Sequence, residues 1–270
     1  MTNLAVHASP SHAAAPVAAA PIVEVRGISK IYPGGIEALN NISLTFPEGE
    51  LTSLLGPSGC GKTTLLKIIA GLLEPTSGEV LVRGRRVTAP GPERSFVFQD
   101  FALMPWASVI RNAAFGLELR GMPRSEREAI AETYVAKVGL KGFEHKYPHE
   151  LSGGMRQRVG LARALSVNAD VLLMDEPFSA VDEQTRRQFQ EDLLHLIADE
   201  RKTFLFVTHS IEEAVYVSNR IVLLSRRPSR VSEIIDVDLP RDAEPDQIRR
   251  HPAYLDTVEG IWQILKHYLD

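Results

Sequence analysis

The segment Gly56–Thr64, with the sequence GPSGCGKTT, constrains this chain more than any other feature. A short apolar run, Leu51–Leu55, precedes it, and a helical pattern of apolar residues follows from Lys62 to Leu72. The spacing G-x-x-x-x-G-K-[ST] between a strand and a helix is typical of a phosphate-binding loop, in which glycines let backbone N–H groups turn inward and the helix dipole adds positive potential. The alternative is a glycine turn followed by a chance Lys-Thr pair, which the strand and helix on either side disfavour. The segment therefore predicts a nucleotide site.

The residues of this loop have distinct expected roles. Lys62 can reach the β- and γ-phosphates of a nucleotide, and the hydroxyl of Thr63 can ligate Mg²⁺. Cys60 is the only cysteine, so no internal disulfide can form. Either Cys60 is a small packing residue, or its thiol reacts near the helix dipole and alkylation blocks the site. The predicted nucleotide-binding residues here are Gly56, Pro57, Ser58, Gly59, Cys60, Gly61, Lys62, Thr63 and Thr64.

A second motif, VLLMDE at Val171–Glu176, is an apolar strand that ends in two acids. In a nucleotide site, Asp175 would hold Mg²⁺ through its water shell. Glu176 would be placed to take a proton from the attacking water. A strand that ends in Asp-Glu is common, so the motif gains its weight from the phosphate-binding loop that precedes it in the chain.

A third motif, LSGGMRQR at Leu151–Arg158, places Ser152, Gly153 and Gly154 at the start of a predicted helix. Backbone N–H groups there can form a second anion-binding nest. From the local sequence alone, the segment is also explained as an N-cap with flexible glycines. The string resembles the signature sequence of ATP-binding-cassette (ABC) ATPases.

The resemblance to ABC ATPases extends over about residues 22–237. Tyr32 lies where that family has an aromatic residue that stacks on adenine, although ordinary packing also explains a tyrosine there. Gln99 matches the glutamine of the Q-loop, and His209 matches the switch histidine. Ser179–Asp182 resembles the D-loop, with valine where leucine is usual.

This resemblance implies ATP and Mg²⁺ as ligands and a second copy of the chain as partner. Two copies would pack head to tail, with ATP between Lys62 of one copy and the nest at residues 152–154 of the other. Glu176, His209 and Gln99 would be the catalytic residues. His209 would contact the γ-phosphate, and Gln99 would sense Mg²⁺ or the attacking water. The implied metal set is Thr63, Gln99 and Asp175.

Apolar strands alternate with helices along the chain, which predicts an α/β protein with a mostly parallel central sheet. The fold implied by the resemblance is a P-loop ABC ATPase cassette with an antiparallel β region and a helical insertion. We expect the cassette at residues 22–240 and the insertion at about 101–165. Residues 1–21, rich in Ala and Pro, are expected to form a disordered tail, and residues 241–270 a helical tail.

The balance of charge limits the partners. The chain has 30 Lys and Arg against 34 Asp and Glu, a net charge of −4. This excludes a general polyanion binder and argues against a nucleic-acid partner. Apolar runs are far shorter than the about 18 residues of a spanning helix, and the first residues have neither the basic start nor the unbroken apolar centre of a secretory signal. A membrane component would therefore be another chain.

Three strings resemble the ATPases of the nitrate/sulfonate/taurine importer class: LMPW at Leu103–Trp106, MDEPFSAVD at Met174–Asp182, and the long segment Thr208–Val231. The class implies two integral-membrane permease subunits, a periplasmic or lipid-anchored binding protein, and a peripheral position on the cytoplasmic face of the cell membrane. Apolar residues after the Q-loop would contact the permease, or would simply pack under the insertion. These residues are Phe101, Leu103, Met104 and Trp106.

Other functional classes stay open at this point. The chain could serve another class of ABC importer, act as a soluble ABC ATPase on DNA or ribosomes, or be an inactive structural partner. Intact Lys62, Asp175, Glu176 and His209 disfavour the inactive partner. In importers of this class, the permease and the binding protein select the transported solute.

Overall fold

The computed structural model describes residues 21–179, 183–200, 202–241 and 243–268. The predicted tail therefore lies outside the described residues, except for Pro21, which begins the first strand. Asp182 of the expected D-loop also lies outside them. Within these ranges, no helix combines the length and the apolar character that crossing a membrane requires.

The first sheet is antiparallel and forms from the N-terminal strands and the segment after the first helix. Its strands are β1 (Pro21–Tyr32), β2 (Ile36–Pro47), β4 (Ser77–Val82) and β5 (Arg85–Arg86), in the order β2-β1-β4-β5. The alternation in β2 buries Ile42, Leu44 and Phe46 on one face. This sheet confirms the expected antiparallel β region.

The second sheet has six strands in the order β10-β9-β3-β8-β7-β6. The strands are β3 (Leu51–Leu55), β6 (Arg94–Val97), β7 (Val171–Asp175), β8 (Thr203–Val207), β9 (Arg220–Leu224) and β10 (Val231–Asp236). All neighbours pair in parallel except β9 and β10. Every residue of β3, β7 and β8 is buried, because apolar clusters cover both faces of the sheet. The mostly parallel central sheet is thereby confirmed.

Eight helices connect and cover these strands in the described part of the chain. They are α1 (Lys62–Ala70), α2 (Val109–Leu119), α3 (Arg124–Lys137), α4 (Gly153–Ser166), α5 (Glu183–Glu200), α6 (Ile211–Val217), α7 (Pro245–Arg250) and α8 (Pro252–Lys266). A 3₁₀ turn, Pro148–Glu150, precedes α4. Helices α2, α3 and α4 follow β6 and precede β7 in the chain, and they pack on one another. They form the helical insertion that the sequence predicts.

Two local predictions differ from the structure. The Ser-x-x-Glu spacing of Ser125 and Glu128 suggests a capping box, but α3 begins one residue earlier, with Pro123 at the N-cap. Glu128 instead accepts a hydrogen bond from Arg124 Nε at 2.9 Å, one helical turn away. The sequence also indicates a single C-terminal helix, whereas α7 precedes α8. Helix α7 has six residues, of which only Ile248 is buried, and this is too short a segment to show a helical period.

Candidate functional site

The glycine-rich loop lies between β3 and α1, at the carboxyl edge of the central sheet. Gly59 and Gly61 have φ values of 72° and 115°, which residues with a Cβ rarely adopt. A Cβ on Gly61 would also approach Leu39 Cδ2 to 2.8 Å. Lys62 Nζ donates to the backbone oxygens of Gly56 at 2.7 Å and Pro57 at 3.0 Å. The lysine is therefore held inside the loop by the loop's own carbonyls.

A threonine and an aspartate from two different elements meet beside this loop. Thr63 Oγ1, in the first turn of α1, donates to Asp175 Oδ1 at the end of β7 at 2.8 Å. Both residues and Gln99 border a cavity of about 620 Å³. Burial is the main cause that raises the pKa of Asp175, and the hydrogen bond from Thr63 opposes it. Hydroxyl, carboxylate and amide oxygens are the hard donors that Mg²⁺ prefers, so this donor set fits that ion.

Glu176 and His209, the predicted base and the predicted switch histidine, form a pair. Glu176 Oε2 lies 3.1 Å from His209 Nδ1. Glu176 has φ 46°, a left-handed conformation that is uncommon for a residue with a side chain, and its N–H donates to Val207 O at 3.0 Å. Backbone strain of this kind clusters at functional sites. The His209 side chain is 63% exposed, so the pair opens toward the surface.

Tyr32 lies at the end of β1, near the start of α1. Its hydroxyl is 3.1 Å from Thr64 Oγ1, and Lys30 Nζ lies 5.5 Å from the centre of its ring. The side chain is half-buried. The structure thus places Tyr32 against the phosphate-binding loop, where both stacking on a base and simple packing are geometrically open.

The second predicted anion nest lies at the start of α4. Ser152 is the N-cap of this helix, and its Oγ accepts a hydrogen bond from Met155 N at 3.2 Å. Ser152 is exposed, and Gly153 and Gly154 follow in the first turn. In the part of the chain that the structure describes, no hydrogen bond joins residues 152–154 to the loop at 56–64. A single chain therefore brings together the loop, the Thr63–Asp175 pair and the Glu176–His209 pair. The nest at residues 152–154 is not joined to the loop of the same chain.

The environment of Cys60 favours the packing interpretation. Its side chain is 2% exposed, and its Sγ would lie 3.1 Å from a Cβ on Gly56. Burial raises the pKa of the thiol, although the charge of Lys62 partly opposes this. A raised pKa lowers the fraction of reactive thiolate at neutral pH.

We expect Cys60 to react with iodoacetamide at pH 7 at least about tenfold more slowly in the folded chain than a free cysteine does, since both access and thiolate fraction are reduced. Mass spectrometry of the intact chain over time gives the rate. The chain unfolded in urea is the control and should react at the ordinary rate. Equally fast labelling of the folded chain would contradict the packing interpretation.

The apolar residues after Gln99 divide into buried and exposed members. The sequence leaves two positions open for Phe101, a partner surface or packing under the insertion. The residue is 6% exposed, and a Cβ on Gly160 of α4 would lie 3.5 Å from its Cβ. The physical reason is a tight turn: Phe101 and Ala102 have φ values of 61° and 42°, and Arg163 of α4 donates to both of their carbonyl oxygens. Packing under the insertion is thus correct for Phe101. Leu103 and Met104 are half-buried, whereas Trp106 is 74% exposed.

Sequence reasoning missed a second polar cluster behind His209. Thr208 Oγ1 donates to Glu213 Oε2 at 2.5 Å, and Arg186 Nε lies 3.6 Å from Glu213 Oε1. The Ser-x-x-Glu spacing of Ser210 and Glu213, which is the pattern of a capping box, was the available signal.

Comparisons with known proteins agree with this geometry. The profile of a family described as ABC transporter matches residues 39–179. An uncharacterised ABC transporter ATP-binding protein of Methanocaldococcus jannaschii is 48% identical over 247 residues, which cover 90% of this chain and 91% of that protein. A taurine import ATP-binding protein of Pseudomonas syringae pv. tomato is 45% identical over 89% of this chain and 94% of its own length. A nitrate import ATP-binding protein of Synechocystis is 44% identical over 87% of this chain, but the match covers 36% of that longer protein.

Solved structures give the same result for the fold. One is a dimeric, post-hydrolysis state of an ATP-binding cassette with bound ADP and Pi. It is 32% identical to this chain, has a TM-score of 0.72, and covers 80% of this chain and 99% of its own. A second, dimeric structure described as a bacterial ABC transporter cassette matches with the same TM-score, identity and coverage.

Proposed function

We infer the function from one premise: the chain belongs to the ABC transporter family. It is the ATP-binding and ATP-hydrolysing subunit of a membrane importer of the nitrate/sulfonate/taurine class. The observation that carries this function is the convergence of a Thr63–Asp175 pair and a Glu176–His209 pair on one glycine-rich loop. A taurine import ATP-binding protein, matched over 94% of its own length, supports the importer class.

The loop at 56–64 binds the phosphates of ATP through backbone N–H groups and Lys62. On binding, Lys62 exchanges its bonds to the Gly56 and Pro57 carbonyls for phosphate oxygens. Thr63, Asp175 and Gln99 would hold Mg²⁺, which supplies positive charge against the triphosphate. Tyr32 provides a ring beside the loop for the adenine.

Glu176 accepts a proton from the attacking water. His209, within hydrogen-bond distance of Glu176 Oε2, orients that carboxylate and contacts the transferred phosphoryl group. Because both side chains are fixed at the ends of neighbouring parallel strands, they need little rearrangement to reach this geometry.

A second copy completes each site. The nest at residues 152–154 is exposed and lies apart from the loop of its own chain. Head-to-tail packing would bring Ser152 of the partner subunit over the γ-phosphate held by Lys62. The similar cassette with ADP and Pi is dimeric, which supports the pairing of two copies.

Two permease subunits would be the membrane partners, with the chain bound peripherally at the cytoplasmic face. Trp106 supplies an exposed aromatic side chain between β6 and α2, close in sequence to Gln99. A large exposed aromatic residue is a typical anchor of a protein interface. The permease in turn would receive solute from a periplasmic or lipid-anchored binding protein.

Replacing Trp106 with alanine should weaken binding to the permease by at least about tenfold, because interface anchors of this size carry much of the binding energy. The ATPase activity of the isolated chain should not change. Leu119, 72% exposed at the other end of α2, offers a matched control in the variant Leu119→Ala. Co-purification from membranes gives the measurement, and equal retention by the two variants would rule out Trp106 as an anchor.

Reconstitution of the chain with its permease in lipid vesicles tests the whole function. We expect ATP hydrolysis in that complex, stimulated by the cognate binding protein loaded with its solute. Taurine, nitrate and bicarbonate are the first solutes to try, since relatives are named for importing them. A complex that binds ATP but never hydrolyses it, or a chain that co-purifies with nucleic acid and no permease, would overturn the proposal.

A further inference from the structure

Glu213, in the first turn of α6, carries a mostly buried carboxylate that the mechanism above does not use. Its side chain is 12% exposed. Thr208 Oγ1 donates to Glu213 Oε2 at 2.5 Å, and Thr208 itself is 1% exposed. Because Thr208 directly precedes His209, this hydrogen bond anchors the peptide from which the switch histidine extends.

The hydrogen bonds at the start of α6 depart from an ordinary capping box. Ser210 is the N-cap, and its Oγ accepts the Glu213 N–H at 3.3 Å. In a complete capping box, the Glu213 carboxylate would accept the Ser210 N–H in return. Here the Ser210 N–H donates to Thr208 Oγ1 at 3.0 Å, and the Thr208 hydroxyl donates to Glu213. The carboxylate therefore holds both peptides that flank His209 through one threonine hydroxyl.

A second contact links Glu213 to the segment on the other side of the catalytic pair. Arg186 Nε, in α5, lies 3.6 Å from Glu213 Oε1. In the turn that follows β7, the carbonyl oxygen of Glu176 accepts hydrogen bonds from Ser179 N at 3.1 Å and Ser179 Oγ at 2.9 Å. Glu176, His209 and Glu213 line the same small cavity of about 70 Å³.

The electrostatic surroundings agree with a structural use of this carboxylate. Burial is the main cause that raises the pKa of Glu213, and the charge of Glu176 adds to this. The hydrogen bond from Thr208 and the charges of Arg186 and His209 act in the opposite direction. The charged form of a carboxylate in such a buried position depends on partners of this kind. The loss of any one of them therefore destabilises the charged form.

We propose that Glu213 is a positioning residue for ATP hydrolysis. Through Thr208 it fixes the backbone of His209, and through Arg186 it ties that backbone to α5, so that His209 stays within hydrogen-bond distance of Glu176. This inference rests on the proposed function, because the pair that Glu213 positions is the hydrolytic pair.

Three variants of the full-length chain test the role. Thr208→Val has nearly the same shape and no hydroxyl, Thr208→Ser keeps the hydroxyl, and Glu213→Gln keeps an acceptor without the charge. For Thr208→Val and Glu213→Gln, we expect kcat to fall about tenfold or more with little change in KM, because a small displacement of a catalytic group costs that much. Thr208→Ser should retain wild-type kcat.

A double-variant measurement separates positioning from general stability. If Glu213 acts through His209, adding Glu213→Gln to His209→Ala should lower the residual rate no further, since effects within one unit are non-additive. Binding of a fluorescent ATP analogue and the thermal midpoint, measured on each variant, should stay near wild type.

The proposal is overturned by wild-type kcat in Thr208→Val, by a loss in Glu213→Gln that is equally large on the His209→Ala background, or by a loss that follows the fraction of unfolded chain. Absence of ATPase activity in the wild-type chain within its permease complex would overturn the proposed function and this inference with it. Normal wild-type activity with unaffected variants would overturn the positioning role alone.

Discussion

Replacing Glu176 with glutamine is expected to lower kcat by roughly 10²–10⁴-fold, the usual contribution of a positioned general base. Glutamine matches the size of glutamate and can still hydrogen-bond to His209, but it cannot accept the proton of the attacking water. ATP binding should persist, since the phosphate-binding loop and the Thr63–Asp175 pair are untouched. Single-turnover hydrolysis of radiolabelled ATP gives the rate, and gel filtration should show a dimer that retains unhydrolysed ATP.

Glu212 provides the matched control for this experiment. It lies in the same turn of α6 as Glu213 but is exposed. Glu212→Gln removes the same charge close to the site and should hydrolyse ATP at the wild-type rate. Wild-type turnover in Glu176→Gln would exclude Glu176 as the base.

Replacing Ser152 with arginine is expected to lower hydrolysis at least about a hundredfold, since donors aimed at developing charge contribute on that scale. Ser152 is exposed at the start of α4, so a long cationic side chain would obstruct a partner that packs there. The isolated subunit should bind ATP almost as the wild type does. Ser152→Thr retains a capping hydroxyl and should behave as wild type.

Mixing two inactive variants tests directly whether the site is shared between chains. In a mixed dimer of Ser152→Arg and Lys62→Ala subunits, one of the two sites receives an intact Lys62 from one subunit and an intact Ser152 from the other. We expect part of the wild-type rate to return on mixing, although neither variant is active alone. If activity never returns while both variants still fold and associate, or if Ser152→Arg loses ATP binding as severely as hydrolysis, the shared site is excluded.

Most of the candidate site could be predicted from the sequence because parallel strands bring their carboxyl ends to one edge. The loop after β3, Asp175 at the end of β7 and His209 after β8 are far apart in the chain, yet the sheet order β3-β8-β7 places them side by side. Strand ends are marked by apolar runs that stop at a polar residue, and this signal needs no knowledge of tertiary contacts.

The parts that could not be predicted depend on contacts between distant residues or on single backbone angles. No periodic pattern signals that Thr208 donates to Glu213 or that Arg186 approaches it from α5. Phe101 lies in an apolar, proline-containing loop whose sequence is compatible with a surface or a buried position, and only the left-handed turn at 101–102 directs it inward. These features follow from tertiary packing, which overrides local pattern.

The two hydrogen bonds from Arg163 to the carbonyls of Phe101 and Ala102 attach the segment after Gln99 to helix α4. Helix α4 has 14 residues and is therefore about 21 Å long, with Ser152 at its beginning and Arg163 in its last turn. Residues 101 and 102 lie in the segment that connects Gln99 to Trp106. The exposed Trp106 and the N-cap residue Ser152 are therefore linked through a single helix of the same chain.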